Sequence, residues 1–526
     1  MIVILSLPNC FHKPNVRYAA SVLSGLCLFA CFPLVNWHEL VWVACLPLLL
    51  AVVTETRPVH GFLLGYAAGA VFLGGSCYWF VSVMTGYGGL PLPVAMGVLV
   101  LFLIIFSTFF GVFGLIETIV ARRSGEVALL LSPFLWVAIE LARTYLITGF
   151  PWNLLGYAVR PEGLERVASV TAVYGLSFIA VATSALMAWV LLTPRRKIAW
   201  IMLPCWLLAL IIGNWLLRPP PPQPVPDTAL LVQPDIPLGD AGVRNWAPWI
   251  NPTALENLVK ESVTATRKAQ GSVKDPPLLI WPEDPAPFYF NRDPIFRDAI
   301  ELMARQAHAY VIAGTVTFMG QGTSQPQNSA VVLAPDGRLL LQYDKIHLVP
   351  FGEYVPWWGF PGTVGKVISQ VGDFVPGSSV RVAKTPVGSI GVFICYESIF
   401  PQLVRKITTA GSEVLVNISD DGWYGDSSGP FQHFEMARFR AIENGRFLLR
   451  ATNNGQTAII DPYGRVLGEI PRKQPGILTG KFRYLSKETF YTRHGDIFAW
   501  VCSALALALI LLATLGLNSG TIRQTR

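Results

Sequence analysis

Charged side chains are scarce in this chain: only 14% of its 526 residues are Asp, Glu, Lys or Arg, against about 25% in ordinary soluble domains. So few charges cannot cover a wholly soluble protein of this size, and the 52% hydrophobic content identifies a membrane protein. Metal-ligand spacing and a phosphate-cradling glycine loop are both lacking, so neither a metal nor a cofactor is implied. The net charge of +7 sits mostly in short loops between apolar runs, which argues for contact with anionic headgroups and not for nucleic acid. Cysteine is nearly missing from the more polar part: of eight, Cys395 alone lies between residues 227 and 487.

What is abundant is the apolar run of the length, about 20 residues, that a helix needs to cross a bilayer. Eight candidates can be read, at residues 18–35, 40–53, 62–83, 94–120, 127–147, 167–192, 198–217 and 497–517, the second being the shortest. Lys and Arg in short loops are retained on the cytoplasmic side. Lys13 and Arg17 precede the first run; Arg57, Arg122 with Arg123, Arg195 to Lys197, and Arg523 with Arg526 follow the second, fourth, sixth and eighth. Loops 36–39 and 85–93 carry no Lys or Arg. The alternation implies cytoplasmic termini and an outward-facing segment between runs seven and eight. Residues 1–7 are apolar but short and have no basic residue before them, unlike a cleaved signal peptide, so an uncleaved multi-pass protein is expected.

Residues 219–226 are six prolines with one Gln and one Val, a composition that favours an extended polyproline II spacer. It separates an N-terminal bundle of seven spans, 1–218, from a domain over 227–487, with 488–526 forming a last span and tail. Across 227–487, short β-rich runs alternate with helical ones, the pattern of a layered α/β domain. Strands are predicted at 229–233, 278–281, 310–315, 330–333, 339–343, 391–395, 413–418, 447–452 and 457–460, and helices at 254–268, 294–307 and 431–444. Tight turns at 335–338 and 461–465 hold the Pro, Asp and Gly that such turns require.

Four stretches of this domain carry chemistry. Gly391-Val392-Phe393-Ile394-Cys395-Tyr396-Glu397-Ser398 reads as a buried strand ending in a thiol. Alone, such a cysteine packs as a small hydrophobe; unpaired in an oxidising compartment, it is also a candidate nucleophile. In Leu279-Ile280-Trp281-Pro282-Glu283 a carboxylate stands where a strand gives out, as a base for the thiol or as a solvated loop acid. Next come Tyr343-Asp344-Lys345 and Phe351-Gly352-Glu353-Tyr354. Lys345 is either a surface lysine or an ammonium that lowers the thiol pKa and stabilises an oxyanion. The apolar stretch 355–360 that follows, with Trp357 and Trp358, dips into the bilayer surface, lines an acyl-chain entrance or packs in the core. The last stretch, 417–426, is a strand end leading to Trp423 and Tyr424, which cover the site, touch lipid or merely form a turn.

The motifs Trp281-Pro282-Glu283, Lys345 with Phe351-Gly352-Glu353-Tyr354, and Cys395-Tyr396-Glu397, in that order, resemble those of the nitrilase (carbon–nitrogen hydrolase) superfamily. Eight spans surround this domain. Tyr78-Trp79-Phe80 stands before Gly89, and a membrane motif runs from Trp136 through Glu140 and Arg143 to Tyr157. With these the chain resembles the apolipoprotein N-acyltransferase family over nearly its whole length.

The resemblance implies an α-helical transmembrane bundle of eight spans with an αββα nitrilase-like sandwich in the periplasm of a Gram-negative type of bacterium, anchored in the inner membrane. It implies transfer of an acyl chain from a phospholipid, through a cysteine thioester, to the α-amino group of the diacylglyceryl-cysteine that begins an apolipoprotein. Glu283 then acts as general base, Lys345 as oxyanion stabiliser and Cys395 as nucleophile, supported by Glu353, Glu397 and Tyr396. Trp246, Trp357, Trp358, Trp423 and Tyr424 are the expected substrate-contacting or lid residues. The partners are a phospholipid donor, a diacylated apolipoprotein acceptor and membrane lipids, with the enzyme a monomer. Asp420 stands where many family members have Asn, and Gly422 where Ala is common.

Because an intramembrane charge is expensive, Glu140 and Arg143 are expected to partner each other. A membrane-tethered amidase or nitrile hydrolase would use the same Glu, Lys and Cys with water as acceptor, but a soluble substrate gives no reason for eight spans. A mere binding module would leave all three motifs idle.

Overall fold

A strand such as Val414–Ser419, in which every residue is buried, needs cover on both faces, and the architecture supplies it. The computed structural model describes residues 11, 13–86, 89–194, 196–236, 251–271, 275–283, 288–320, 325–350, 352–354 and 374–515. The chain forms two units: Met1–Tyr78, Met96–Pro219 and His494–Arg526 make one, Trp79–Ala95 and Pro220–Arg493 the other.

The second unit contains two six-stranded sheets. The first has the order β12-β1-β2-β3-β4-β5, from β1 (Asp227–Gln233), β2 (Leu278–Ile280), β3 (Tyr310–Phe318), β4 (Pro326–Leu333), β5 (Leu339–Asp344) and β12 (Gly476–Phe482). The second runs β11-β10-β9-β8-β7-β6, from β6 (Val382–Thr385), β7 (Gly388–Ile394), β8 (Val414–Ser419), β9 (Leu448–Thr452), β10 (Thr457–Ile460) and β11 (Val466–Ile470). Each has a parallel centre, β1-β2-β3 in one and β7-β8-β9 in the other, and antiparallel flanks.

One continuous apolar layer joins the two sheets, with Leu231, Ile280, Ile312 and Val332 from the first and Val392, Ile394, Val416 and Leu449 from the second. The outer face of the first sheet packs on helices Pro252–Gln270 and Pro294–Ala307 through Leu255, Phe296, Ile300 and Met303. That of the second packs on Pro401–Thr409 and Gly429–Asn444 through Val404, Ile407, Phe434 and Ala437. The result is an αββα sandwich.

Beyond the expected strands stand β6, β11, β12 and the helix Pro401–Thr409. β11 and β12 are largely exposed or half-buried, so they lack the apolar run that marks a buried strand. The expected strand 391–395 is corrected to Gly388–Ile394: Cys395 is not its last residue but opens a 3₁₀ turn, Cys395–Ile399, with φ of +48°.

Among the described residues, five helices are long and apolar enough to cross a membrane: Pro58–Cys77, Leu92–Leu130, Val173–Leu192, Lys197–Leu216 and Ile497–Leu515. The other expected runs fold as shorter helices, Pro14–Ala30, Leu46–Val53 and Ser132–Tyr145. The run expected at 62–83 breaks at Tyr78, and the short helix Trp79–Gly86 belongs to the second unit. Gly61, Gly65 and Gly114 let two backbones touch. A Cβ on any of them would collide with the carbonyl oxygen of Gly114, Phe110 or Gly61 respectively, the close approach that small residues at four-residue spacing permit.

Glu140 and Arg143 are both buried and offset each other's charge as expected, but through space and not through a direct hydrogen bond. Glu140 Oε1 accepts from Trp136 Nε1 at 3.0 Å and from Leu155 N at 2.8 Å, while Arg143 Nη2 donates to the Trp152 carbonyl at 3.1 Å. Each satisfies the irregular 150–158 segment, whose backbone has few helical partners of its own.

Candidate active site

Four strands of the sandwich end at one place. Glu283 follows β2, Lys345 follows β5, Cys395 follows β7 and Asp420 follows β8, so rigid sheet backbone positions every group.

Lys345 is 1% exposed. Its Nζ donates to Glu353 Oε1 at 2.8 Å and to Glu283 Oε1 at 3.3 Å. Burial alone would strip the ammonium of its proton, but the two carboxylates outweigh it and hold the Lys345 pKa above its ordinary value. Asn328, on β4, completes the ring: its Nδ2 lies 2.8 Å from Glu283 Oε1 and 2.7 Å from Glu353 Oε1. Glu353 Oε2 is anchored by Val349 N at 2.8 Å, and Glu283 Oε2 by Asp420 N at 2.9 Å. Lys345 Nζ thus stands closer to Glu353 than to Glu283.

The Cys395 side chain is buried beside this ring. Burial first, then the charge of Glu283, push its thiol well above the ordinary range, while Lys345 and the Ser419 hydroxyl work the other way. A thiol in that state is protonated at rest and needs a base before it can attack.

Glu397 holds the two sides of the site together. Its carboxylate accepts from Tyr343 OH at 2.9 Å, Ile346 N at 2.7 Å and His347 N at 3.2 Å on the Lys345 side, and from Ile394 N at 2.7 Å on the Cys395 side. Burial pushes its pKa up to about 7, and the surrounding N–H donors and Lys345 oppose the shift. Tyr396 is 6% exposed and packs edge-on against Phe400, ring centres 5.2 Å apart.

Asp420 Oδ1 accepts from Gly422 N at 2.9 Å, and Oδ2 from Asn453 Nδ2 at 3.2 Å. Burial, reinforced by Glu283 and Asp421, pushes it up to about 8. Behind the nucleophile lies a buried network formed by Asp421, His433 and Arg450. Of the expected lid residues, Tyr424 is buried, its ring 5.6 Å from that of His433 and 4.9 Å from that of Trp79. Trp423 is 45% exposed. Trp246, Trp357 and Trp358, with the whole 355–360 stretch, lie outside the described residues.

Thus Glu283, Lys345, Glu353, Cys395 and Glu397 come together, while Asn328 and the network behind Cys395 are additions. Both had a trace in the sequence: Gln327-Asn328-Ser329 opens an otherwise apolar strand, and Arg450 interrupts Phe447-Leu448-Leu449 and Ala451. Among the described residues no group of His, Cys, Asp and Glu could hold a metal ion.

Residues 231–484, which include most of this nitrilase-like α/β sandwich, match the family described as carbon–nitrogen hydrolase. Residues 24–186 match a second family, the apolipoprotein N-acyltransferase N-terminal domain. An apolipoprotein N-acyltransferase of Geobacter metallireducens is 37% identical over 97% of this chain and 97% of its own length. Another, from Bradyrhizobium diazoefficiens, is 34% identical over 70% of each. The chain therefore belongs to the apolipoprotein N-acyltransferase family. Among solved structures, an amidase of the nitrilase superfamily from Nesterenkonia AN1 covers 53% of this chain and 98% of its own at 18% identity, with a TM-score of 0.38, too low to carry an argument.

Proposed function

We propose that this enzyme moves an acyl chain from a membrane phospholipid, through a thioester on Cys395, to the α-amino group of the diacylglyceryl-cysteine at the start of an apolipoprotein. The observation that carries the reading is the convergence of Glu283, Lys345 and Cys395 at adjoining strand ends in a chain of this family.

In the first stage Glu283 takes the thiol proton as Cys395 Sγ attacks the ester carbonyl. The Lys345 ammonium faces the oxygen that becomes negative, where a pre-placed charge is most effective. Collapse expels the lysophospholipid alkoxide, which takes the proton back from Glu283 and leaves the thioester. In the second stage the α-amine attacks the thioester and passes its proton to Glu283. The thiolate leaves, is reprotonated, and an amide remains. Splitting the transfer in two replaces one difficult displacement with two easier ones. Glu353 and Asn328 set the Lys345 and Glu283 geometry, and Glu397 sets that of the Cys395 turn. Tyr396, packed on Phe400, supports the same turn, and Trp423, Tyr424, Trp246, Trp357 and Trp358 contact or cover the acyl chain and keep water from the thioester.

The domain at 227–487 faces the periplasm of a bacterial inner membrane, both termini are cytoplasmic, and the enzyme acts as a monomer without a cofactor. The alternation of basic loops supports the eight-span arrangement, and five helices of spanning length supply five of the eight.

The deciding experiment gives purified enzyme a phospholipid labelled in its acyl chain together with a diacylated lipopeptide. Label is expected on the lipopeptide amine. Label appearing only as free fatty acid would instead favour the amidase-like alternative with water as acceptor. Glu283→Gln, which keeps the shape but not the basicity, is expected to slow single-turnover acylation by about 10²–10⁴-fold, the range for a general base. Unchanged rates would take Glu283 out of that role.

A further inference from the structure

The proposed reaction uses nothing beneath Cys395, yet a fully buried polar cluster lies there. His433, on the helix Gly429–Asn444, is 0% exposed. Its Nε2 is 3.0 Å from the Cys395 carbonyl oxygen and 2.7 Å from Ser398 Oγ. Its Nδ1 lies 2.9 Å from Asp421 Oδ1 and 3.1 Å from Arg450 Nη2. Arg450 Nη2 donates to Asp421 Oδ2 at 2.7 Å, and Arg450 Nη1 to Asn417 Oδ1. Ser419 Oγ donates to Asp421 Oδ1 at 2.8 Å, and Ser419 is also the hydroxyl beside the Cys395 thiol.

Ser398, His433 and Asp421 follow the hydrogen-bond order of a Ser-His-Asp triad. A second hydrolytic site is nevertheless excluded by access, because all three residues are 0% exposed and no acyl group reaches Ser398 Oγ. The partner that matters is the Cys395 carbonyl. A carbonyl only accepts, so this contact is a bond when the proton sits on His433 Nε2. Cys395 has φ of +48°, a left-handed conformation that is strained for a non-glycine residue and persists only when its surroundings over-determine it.

We propose that His433, oriented by Asp421 and Arg450, is a positioning residue for acyl transfer: by holding the Cys395 carbonyl it keeps the nucleophile in the left-handed turn that sets the thiol beside Glu283 and Lys345. The proposal rests on the reading of Cys395 as the acyl carrier. Glu397 fixes the turn from one side through Ile394 N, and His433 fixes it from the other.

The test uses the full-length protein in phospholipid nanodiscs, following acyl-enzyme formation by intact mass. His433→Ala is expected to slow single-turnover acylation about 10²-fold, the size of loss that an ångström of misplacement causes, with the KM for phospholipid unchanged. His433→Gln, whose amide N–H reaches the place of Nε2, is expected to recover most of that rate. His433→Asn, whose amide reaches only the place of Nδ1, is not, and the Gln and Asn pair decides the matter should the alanine variant fail to fold. Equal rates for Gln and Asn, or wild-type acylation in folded His433→Ala, would overturn the proposal, as would labelling of Ser398 by a fluorophosphonate. Failure of the underlying reading looks different: the acyl group would then map to a residue other than Cys395 in the wild-type enzyme.

Discussion

Cys395→Ser is expected to show no acyl adduct after incubation with phospholipid, where the wild-type protein gains the mass of one acyl chain. Serine keeps the shape of the turn, so the fold and the ring of Lys345, Glu283, Glu353 and Asn328 remain. What is lost is the nucleophile, because burial and Glu283 already hold even the thiol well above its usual pKa, and a hydroxyl starts several units higher. The fall in acylation is expected to be about 10⁴-fold or more, as for removal of other nucleophiles. The protein is purified in detergent, mixed with phospholipid and read by intact mass and by peptide mapping. An adduct retained on the serine variant would sink the assignment of Cys395.

Lys345→Met should be nearly as severe and should act in two ways at once. Methionine matches the lysine stem but leaves Glu283 and Glu353 facing each other across Asn328, with side chains only 9% and 14% exposed. Leaving a buried charge uncompensated costs about 3–5 kcal/mol, a large part of the 5–15 kcal/mol or so that holds a domain folded. A lower melting temperature is expected, together with a further loss of about 10²–10³-fold in acylation from the missing oxyanion partner. The double variant Lys345→Met with Glu353→Gln separates the two: stability returns because one carboxylate is gone, and activity does not. Recovery of activity along with stability would show that Lys345 serves only the fold.

The catalytic trio was legible because each member stands at the end of an apolar strand with its own neighbours, as in Trp281-Pro282-Glu283 and Cys395-Tyr396-Glu397. Most of the nine expected strands could be read for the same reason, since buried strands are apolar runs, and β5 by its alternation of buried and half-buried residues. What escaped depends on contacts between distant residues. β12 pairs with β1 some 250 positions earlier, Asp227 opposite Phe482, and its own residues are mostly half-buried or exposed. Asn328 gains its role only when β4 carries it to Glu283 and Glu353. His433 looks like any polar residue on a helix until Asp421, Arg450 and the Cys395 carbonyl close around it. The left-handed turn at Cys395 has no compositional mark, since cysteine is not a residue that favours it.

Glu397 draws one ring of donors from both halves of the sandwich: Tyr343 lies in β5 of the first sheet, Ile346 and His347 follow that strand, and Ile394 ends a strand of the second. The reacting groups are divided in the same way, Glu283 and Lys345 on one sheet and Cys395 on the other. The proposed chemistry therefore depends on the alignment of the two sheets, which Glu397 pins together with the Asp420 N to Glu283 bond. A slip along the apolar seam between them would keep the ladder of each sheet, yet it would part the Cys395 thiol from Glu283 and Lys345.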